Sequence, residues 1–319
     1  MTKNTIHTVL GEIKPDDIGN ILTHEHIICC CDAMKLQFGN KWFDTDKVIK
    51  SAVELLRQAK EECNINTLID VTPINLGRNI EILKKVSDKS EVNIVVSTGL
   101  YHTEDNFING KSKEYLAELF IEECQNGILD SGIKPQMIKC ATGTAGITGL
   151  NNKMLDTFAI VQRETGLPLY AHCVHSTLCA TKQLEIFRQN KVDIKRVVIG
   201  HCSDSNDMEY LLEIAESGCY MGFDRIYPQS YKEQAVVIKN IIDKGFEDSI
   251  LLSHDYFAFS DSVNMSWNEF EADPQRNGRD YTTVHKKLIP ELRSLGVPEE
   301  VLNKIMIKNP LDLLFDRRA

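Results

Sequence analysis

From Asn20 onward the chain alternates short apolar runs with longer segments whose apolar positions recur every three or four residues. Asn20 to Ile27 reads as a strand, and Asp44 to Cys63 has helical spacing through Val48, Ile49, Ala52, Leu55 and Leu56. The rhythm then repeats. Strand-like runs cover residues 66–71, 93–100, 135–142, 167–173, 196–202, 219–224 and 249–256. Helical patterns fall between them: around Ile80, Leu83 and Val86, then over 112–126, 151–165, 177–189, 206–217 and 230–244. Residues 6–19, punctuated by Gly11, Pro15 and Gly19, read as an N-terminal hairpin or cap. Residues 258–319 read as a polar loop, Asp261 to Thr282, followed by two or three helices.

Eight short strands alternating with helices predict parallel βαβ units, and eight such units in this length predict a closed (β/α)8 TIM barrel. The expected fold is therefore α/β, a barrel with an N-terminal hairpin and C-terminal helices. An open doubly wound sheet competes, but no glycine-rich phosphate turn follows the first strand. With no linker-like stretch, residues 1–319 are expected to form a single domain.

Ionisable residues change the picture from fold to chemistry. In a parallel barrel, catalytic groups gather at the C-terminal strand ends. There the sequence places His24 and His26 on the first strand, Lys139 on the fourth, His172 on the fifth, His201 on the sixth and Asp255 on the eighth. An isolated His-x-His is more often an ordinary pair of strand histidines than a metal site. Six ligand-type residues at one depth on five strands do not resemble core packing. Strand alternation sends Cys140, Cys173 and Cys202, each following a candidate ligand, toward the helix layer. By the same reasoning Glu25 and His254 point outward and are structural, as are His7 and His285. Four histidines and one carboxylate suit metal-assisted hydrolysis with two divalent ions, which also need a bridging anion. Lys139 is the misfit, since an ammonium beside two cations is strongly repelled. It must be neutral, absent from the site or chemically converted.

Composition excludes several alternatives. The chain is 42% hydrophobic and 26% charged, with a formal net charge of -10 and no Lys/Arg-rich run. Nucleic acid is thus an unexpected partner, and an acidic surface repels anionic membranes. Met1 to Thr5 lacks the apolar core of a signal peptide, and no apolar run approaches a membrane span. Ten cysteines form no C-x-x-C pair, which fits free thiols in a reducing cytosol. A thiolate cluster at Cys29, Cys30 and Cys31 is disfavoured because adjacent strand residues diverge. The expected location is cytoplasmic.

At these residues the chain resembles the phosphotriesterase family of the amidohydrolase superfamily, and within it the phosphotriesterase-like lactonases. The resemblance is carried by residues 19–26 (GNILTHEH), 98–101 (TGLY), 137–141 (MIKCA), 170–172 (YAH), 199–204 (IGHCSD), 221–225 (MGFDR) and 253–256 (SHDY). It implies a binuclear metal centre, zinc first, with manganese, cobalt or iron in some members. His24, His26 and Asp255 would bind the more buried ion, and His172 and His201 the more exposed one. Lys139 would be N6-carboxylated by CO2, its new anion bridging both ions and removing the electrostatic conflict. Tyr101 and Arg225 match positions that mark the lactonase branch, Tyr101 beside the bridging hydroxide and Arg225 at the lip of the pocket.

On this resemblance the hydroxide attacks a lactone carbonyl, and Asp255 carries its proton to the leaving alkoxide. The substrate would be a small molecule: a sugar lactone, in some cases phosphorylated, or an acyl-homoserine lactone. The same centre would otherwise serve an organophosphate triester or aryl ester, or an N-acyl amino acid. A non-catalytic binding protein is disfavoured because all six ligand positions are filled. Arg225, Arg276, Arg279, Lys286 and Lys287 are candidates to meet a phosphate, though scattered basic residues are usually solvated. Family members often dimerise, so a homodimer is the expected assembly, although no stretch marks an interface. Two departures bear on substrate identity: His102 directly after Tyr101, and Phe257-Ala258-Phe259-Ser260 after the eighth strand.

Overall fold

The computed structural model describes residues 4–261 and 280–315. A two-stranded antiparallel hairpin, β1 (Ile6–Thr8) and β2 (Gly11–Ile13), precedes a nine-stranded parallel sheet. Its strands are β3 (Asn20–Cys29), β4 (Ile65–Asp70), β5 (Asn93–Gly99), β6 (Met137–Ala141), β7 (Leu169–His172), β8 (Val197–Ile199), β9 (Tyr220–Phe223), β10 (Ile250–Leu252) and β11 (Phe257–Ser260). They pair in sequence order from β3 to β10, while β11 pairs with β3 on its free side. That last pairing, together with Asp255 N–H to His24 O (3.2 Å) and His26 N–H to Tyr256 O (2.8 Å), joins the eighth strand segment to the first. The result is a (β/α)8 barrel.

The interior is built as the alternation predicts. Ile21, Ile69, Val95, Met137, Tyr170, Val198, Tyr220 and Leu251, one from each of β3 to β10, form a single buried cluster inside the barrel. Ile6 and Ile18 from the N-terminal segment, and Leu313, Leu314 and Phe315 from the last helix, join that cluster. Outward residues such as Leu22, Leu68 and Ile94 pack on α2 (Thr45–Cys63) and α3 (Ile80–Ser90). In α2 the buried positions Val48, Ile49, Ala52, Val53 and Leu56 follow the helical period. Asp44 caps it by accepting from the N–H groups of Asp46 and Lys47. Ser112 caps α5 (Lys113–Asn126) in the same way. Cys140, Cys173 and Cys202 lie in the helix-facing cluster, as expected.

Three expectations need correction. The eighth strand does not run unbroken over 249–256; it stops at Leu252, turns at Asp255 (φ 50°) and resumes as β11. The turn forms because Glu25 holds the intervening backbone, as described below. The segment after 256, read as loop from the sequence, therefore begins with a strand. The sixth strand likewise ends at Ile199, short of His201. Trp267, Phe270, Arg276 and Arg279 lie outside the described residues. All ten cysteines are free, and among the described residues no helix is long and apolar enough to cross a membrane.

Candidate metal centre

The six ligand-type residues named from the sequence converge at the C-terminal end of the barrel, by three different routes. Lys139 and His172 arrive by plain alternation, two residues beyond the interior Met137 and Tyr170. His24 and His26 do not. Counting from the interior Ile21, strict alternation would turn Thr23 and Glu25 inward and both histidines outward. A register shift against β4 between Leu22 and Glu25 reverses the phase, the known use of a bulge to re-aim side chains beside a site. His201 arrives through a left-handed backbone (φ 61°), and Asp255 shares that conformation at φ 50°. Histidine and aspartate tolerate this region better than most residues, yet it still costs energy and marks positions held by their surroundings.

Glu25 is one of those surroundings. Its buried carboxylate accepts from Ser253 Oγ (2.7 Å), His254 N–H (2.9 Å), His254 Nδ1 (2.7 Å) and Tyr256 N–H (2.9 Å). The loop that carries Asp255 is thus clamped to the first strand, and Glu25 is structural as expected. His254, also structural, closes the clamp by accepting the Val284 N–H (3.0 Å) at Nε2.

The donor atoms lie close together. Asp255 Oδ1 is 3.2 Å from His24 Nε2 and 3.1 Å from His26 Nε2, while Lys139 Nζ is 3.3 Å from His24 Nε2. Donors about 2.0 Å from a tetrahedral zinc ion sit about 3.3 Å apart, so these spacings suit one shared ion. His172 Nδ1 and His201 Nε2 face each other at 2.6 Å beside this group. His24, His201 and Asp255 also offer ligand atoms that all lie within 4.8 Å of one another.

The far nitrogens of three of the four histidines are fixed. His26 Nδ1 bonds Thr72 Oγ1 (2.8 Å), and His24 Nδ1 bonds Asp224 Oδ2 (2.7 Å). Asp224 Oδ1 accepts from both Nδ1 and the backbone N–H of His201, each at 2.9 Å. Tyr170 donates its hydroxyl to Asp224 Oδ2 (2.6 Å). Asp224 therefore assigns Nδ1–H to two histidines at once and leaves their Nε2 lone pairs aimed into the site. Burial would raise this carboxyl, but His201 and His24 hold it well below the usual carboxylate range. Gly222 makes the contact fit, because a Cβ there would stand 2.2 Å from Tyr170 Oη.

The remaining charges are tuned to the same end. Burial brings His201 down to about 4, against the pull of Asp224, and puts His172 well below its ordinary value with His201 adding to the effect. Both are neutral bases at neutral pH. Burial also lowers the Lys139 amine to about 8, opposed by Asp255 and Asp224. Asp255 is pushed up by burial yet held well below the usual carboxylate range by His24, Arg225 and His201. Of these, Arg225 is the permanent cation. Its Nε donates to Asp255 Oδ2 (2.7 Å), its NH1 to Asp204 (2.5 Å) and its NH2 to His201 Nε2 (3.4 Å). Arg225, expected at the lip, thus reaches into the centre.

Tyr101 packs edge-on against His172, with centroids 5.0 Å apart, and Asn75 Oδ1 accepts its backbone N–H (2.6 Å). Burial, with Asp255 adding, pushes its phenol up to about 12. The His102 ring lies tilted against that of Tyr101, with centroids 4.2 Å apart and planes at 43°. Lys286 and Lys287 play no part here: Lys286 pairs with Glu62 and Lys287 lies over the Tyr231 ring. The sequence reading gave no role to Asp224, Tyr170 or Thr72. Alternation from the interior Tyr220 through Gly222 does point Asp224 inward, a signal available but unused.

Comparison with known proteins agrees with this geometry. The phosphotriesterase family model matches residues 4–314. The phosphotriesterase homology protein of Mycobacterium tuberculosis is 31% identical, with 98% of each chain covered. Aryldialkylphosphatase from Saccharolobus solfataricus is 29% identical over 93% of this chain and 95% of its own. Human N-acetyltaurine hydrolase is 23% identical, with 96% of each covered. The solved phosphotriesterase structure from Mycobacterium tuberculosis superposes with a TM-score of 0.89 at 30% identity, covering 97% of this chain and 98% of that one. The barrel, the gathered site and these matches agree: the chain is a hydrolase of the phosphotriesterase family.

Proposed function

We propose that the protein is a binuclear-metal lactonase that opens a small lactone. The observation that carries the metal reading is the cluster of His24, His26 and Asp255 donors at ligand-edge spacing, with a buried Lys139 amine at 3.3 Å. His24, His26 and Asp255 would hold one divalent ion, zinc first with manganese, cobalt or iron as substitutes, and His172 and His201 the second. An amine whose pKa falls to about 8 has a neutral fraction able to capture CO2, so Lys139 is suited to N6-carboxylation, which would add an anion to the residues that hold the pair. When bound, such a pair supplies an acidified water and a Lewis acid for the carbonyl.

The chain's own groups divide the remaining work. Asp255 Oδ1 faces the histidine donors while Arg225 holds Oδ2, which keeps the carboxylate ionised and ready to take a proton. It would return that proton to the leaving alkoxide. Tyr101, protonated at neutral pH, offers a hydroxyl donor on the His172 side of the site. The lactonase assignment rests on Tyr101 and Arg225, the positions by which the sequence resembles that branch. Sugar lactones, phosphorylated aldonolactones and acyl-homoserine lactones form the first test panel.

A second reading has specific support in relatives called aryldialkylphosphatase and N-acetyltaurine hydrolase: an organophosphate or aryl ester, or an N-acyl amino acid, cleaved on the same centre. Parallel assays on lactones, chromogenic phosphotriesters and esters, and N-acyl amino acids decide between them. A kcat/KM highest on a lactone supports the proposal. Turnover confined to an N-acyl or phosphotriester substrate overturns the lactone assignment.

A further inference from the structure

Most polar side chains around the centre already have their partners. Arg225 gives its three nitrogens to Asp255, Asp204 and His201, and the Asp224 carboxylate serves His24, His201 and Tyr170. Thr72 holds His26. On the His172 side of the site, the Tyr101 hydroxyl and the His102 imidazole have no hydrogen-bond partner among the described residues. Tyr101 already has a part in the proposed chemistry; His102 has none. Its ring is only partly exposed, with its centroid 6.0 Å from that of His172.

The backbone fixes where that imidazole sits. β5 ends at Gly99, and Asn75 pins the segment after it at two points. Its Oδ1 accepts the Tyr101 N–H (2.6 Å), and its Nδ2 donates to Asp105 Oδ2 (3.0 Å). Thr103 O accepts the Asp105 N–H (3.1 Å), which closes the chain just after His102. Glu104 accepts from the hydroxyl of Thr148, the cap of α6 (Gly149–Thr165), and ties the same segment to that helix. His102 then lies against Gly143, in the turn after β6. A Cβ on that glycine would stand 3.0 Å from the ring's Nδ1, 3.1 Å from Cγ and 3.5 Å from Cε1. The Gly146 N–H closes the turn on Gly143 O (3.0 Å). With the Nδ1 side of the ring seated on glycine, Nε2 is the nitrogen left open to a ligand.

We propose that His102 is a specificity-determining residue whose Nε2 hydrogen-bonds a hydroxyl on the lactone carbon next to the carbonyl. An imidazole keeps at least one N–H in every protonation state, and its neutral form adds an acceptor. A hydroxyl both gives and receives, so it suits either tautomer. A substrate with only hydrogen at that carbon leaves the imidazole unpaired, and an unpaired polar group in a closed site is what rejects the wrong ligand. The inference rests on the lactone reading above and narrows it to α-hydroxylated lactones. Aldonolactones belong to that class, whereas acyl-homoserine lactones carry an acylamino group at the same carbon.

The test measures kcat/KM of the metal-loaded protein on α-hydroxy-γ-butyrolactone and on γ-butyrolactone, which differ by that hydroxyl alone. The native chain is compared with His102→Leu and His102→Gln, with metal content and far-UV circular dichroism as controls. The native protein should favour the hydroxylated lactone by about three- to tenfold, the range for one hydrogen bond between neutral partners. His102→Leu should bring that ratio to about one. His102→Gln, whose amide reaches the Nε2 position, should keep most of it. A native ratio of about one overturns the proposal, as does a fall of equal size on both lactones in His102→Leu. A lower metal content in the folded His102→Leu variant makes His102 a ligand and overturns it too. A Gln variant no more selective than the Leu variant overturns the hydrogen bond as the cause. Hydrolysis of neither lactone by the native protein refutes the lactonase reading as well, whereas hydrolysis of both with an unmoved ratio refutes this inference alone.

Discussion

Asp224→Asn is the substitution that probes most sharply how the site is held. The carboxylate is fully buried and acts only as an acceptor, from His24 Nδ1, His201 Nδ1, the His201 N–H and Tyr170 Oη. An amide has one oxygen and one NH2. With its oxygen at the Oδ1 position, both His201 bonds survive, and the NH2 meets His24 Nδ1 and Tyr170 Oη. The tyrosine hydroxyl can rotate to accept, but His24 must shift its proton to Nε2, the nitrogen that faces Lys139 and Asp255. The flipped amide moves the same fault to His201. Either way one histidine loses the lone pair it presents to an ion. Replacing such an outer partner costs about 10- to 100-fold in metal affinity or rate, or about 1.4–2.7 kcal/mol. The assay is a chelator-competition titration of the metal-free variant with zinc, with kcat/KM on the best substrate and far-UV circular dichroism as a fold control. A folded variant with wild-type affinity for two ions and wild-type kcat/KM refutes the tautomer argument.

Asp255→Asn should keep its fold and lower kcat by about 10²–10⁴-fold; a metal-replete variant at full rate excludes proton transfer by Asp255. Arg225→Met removes the charge that helps depress Asp255, so the folded pKa of that carboxyl rises. Activity needing the ionised carboxylate is then lost at a higher pH as the pH falls, and an unmoved acid limb in the pH profile counts against the pairing. Lys139, lowered to about 8, becomes neutral as the pH rises through that value. Reactivation of metal-free protein by zinc at a fixed concentration of dissolved CO2 should therefore quicken about tenfold between about pH 7 and pH 9; a rate independent of pH under those conditions contradicts a neutral-amine step. Gly222→Ala would drive a Cβ to 2.2 Å from Tyr170 Oη. We expect a loss of about 1–3 kcal/mol in denaturant unfolding, and an unchanged midpoint would show that the Tyr170–Asp224 contact yields freely.

The sequence carried the barrel because each strand keeps its two-residue rhythm and each helix its own, and those periods survive folding unchanged. It also carried Lys139 and His172, whose side chains follow directly from the interior residues two places earlier. The route by which His24 and His26 turn inward was not legible. It depends on a register shift against β4, a relation between strands that no single strand encodes. His201 and the break at Asp255 depend on left-handed backbone imposed by partners far along the chain, Glu25 among them. Strand β11 is hidden for a similar reason, since its apolar run sits directly after that turn and its pairing with β3 is a relation between strands. Asp224 was within reach of the same alternation that found Lys139. It went unassigned because its chemistry, holding two histidines from behind, appears only once β8 and β9 are brought to the first strand.

The proposed function requires a pair of ions held by His24, His26, Lys139, His172, His201 and Asp255. The measurement that meets it most directly is the divalent-metal content of protein expressed with added zinc or manganese. Two ions per chain are expected in the native chain, with a marked deficit in Lys139→Ala. Fewer than two per native chain, or an unchanged count in the Lys139 variant, contradicts the account.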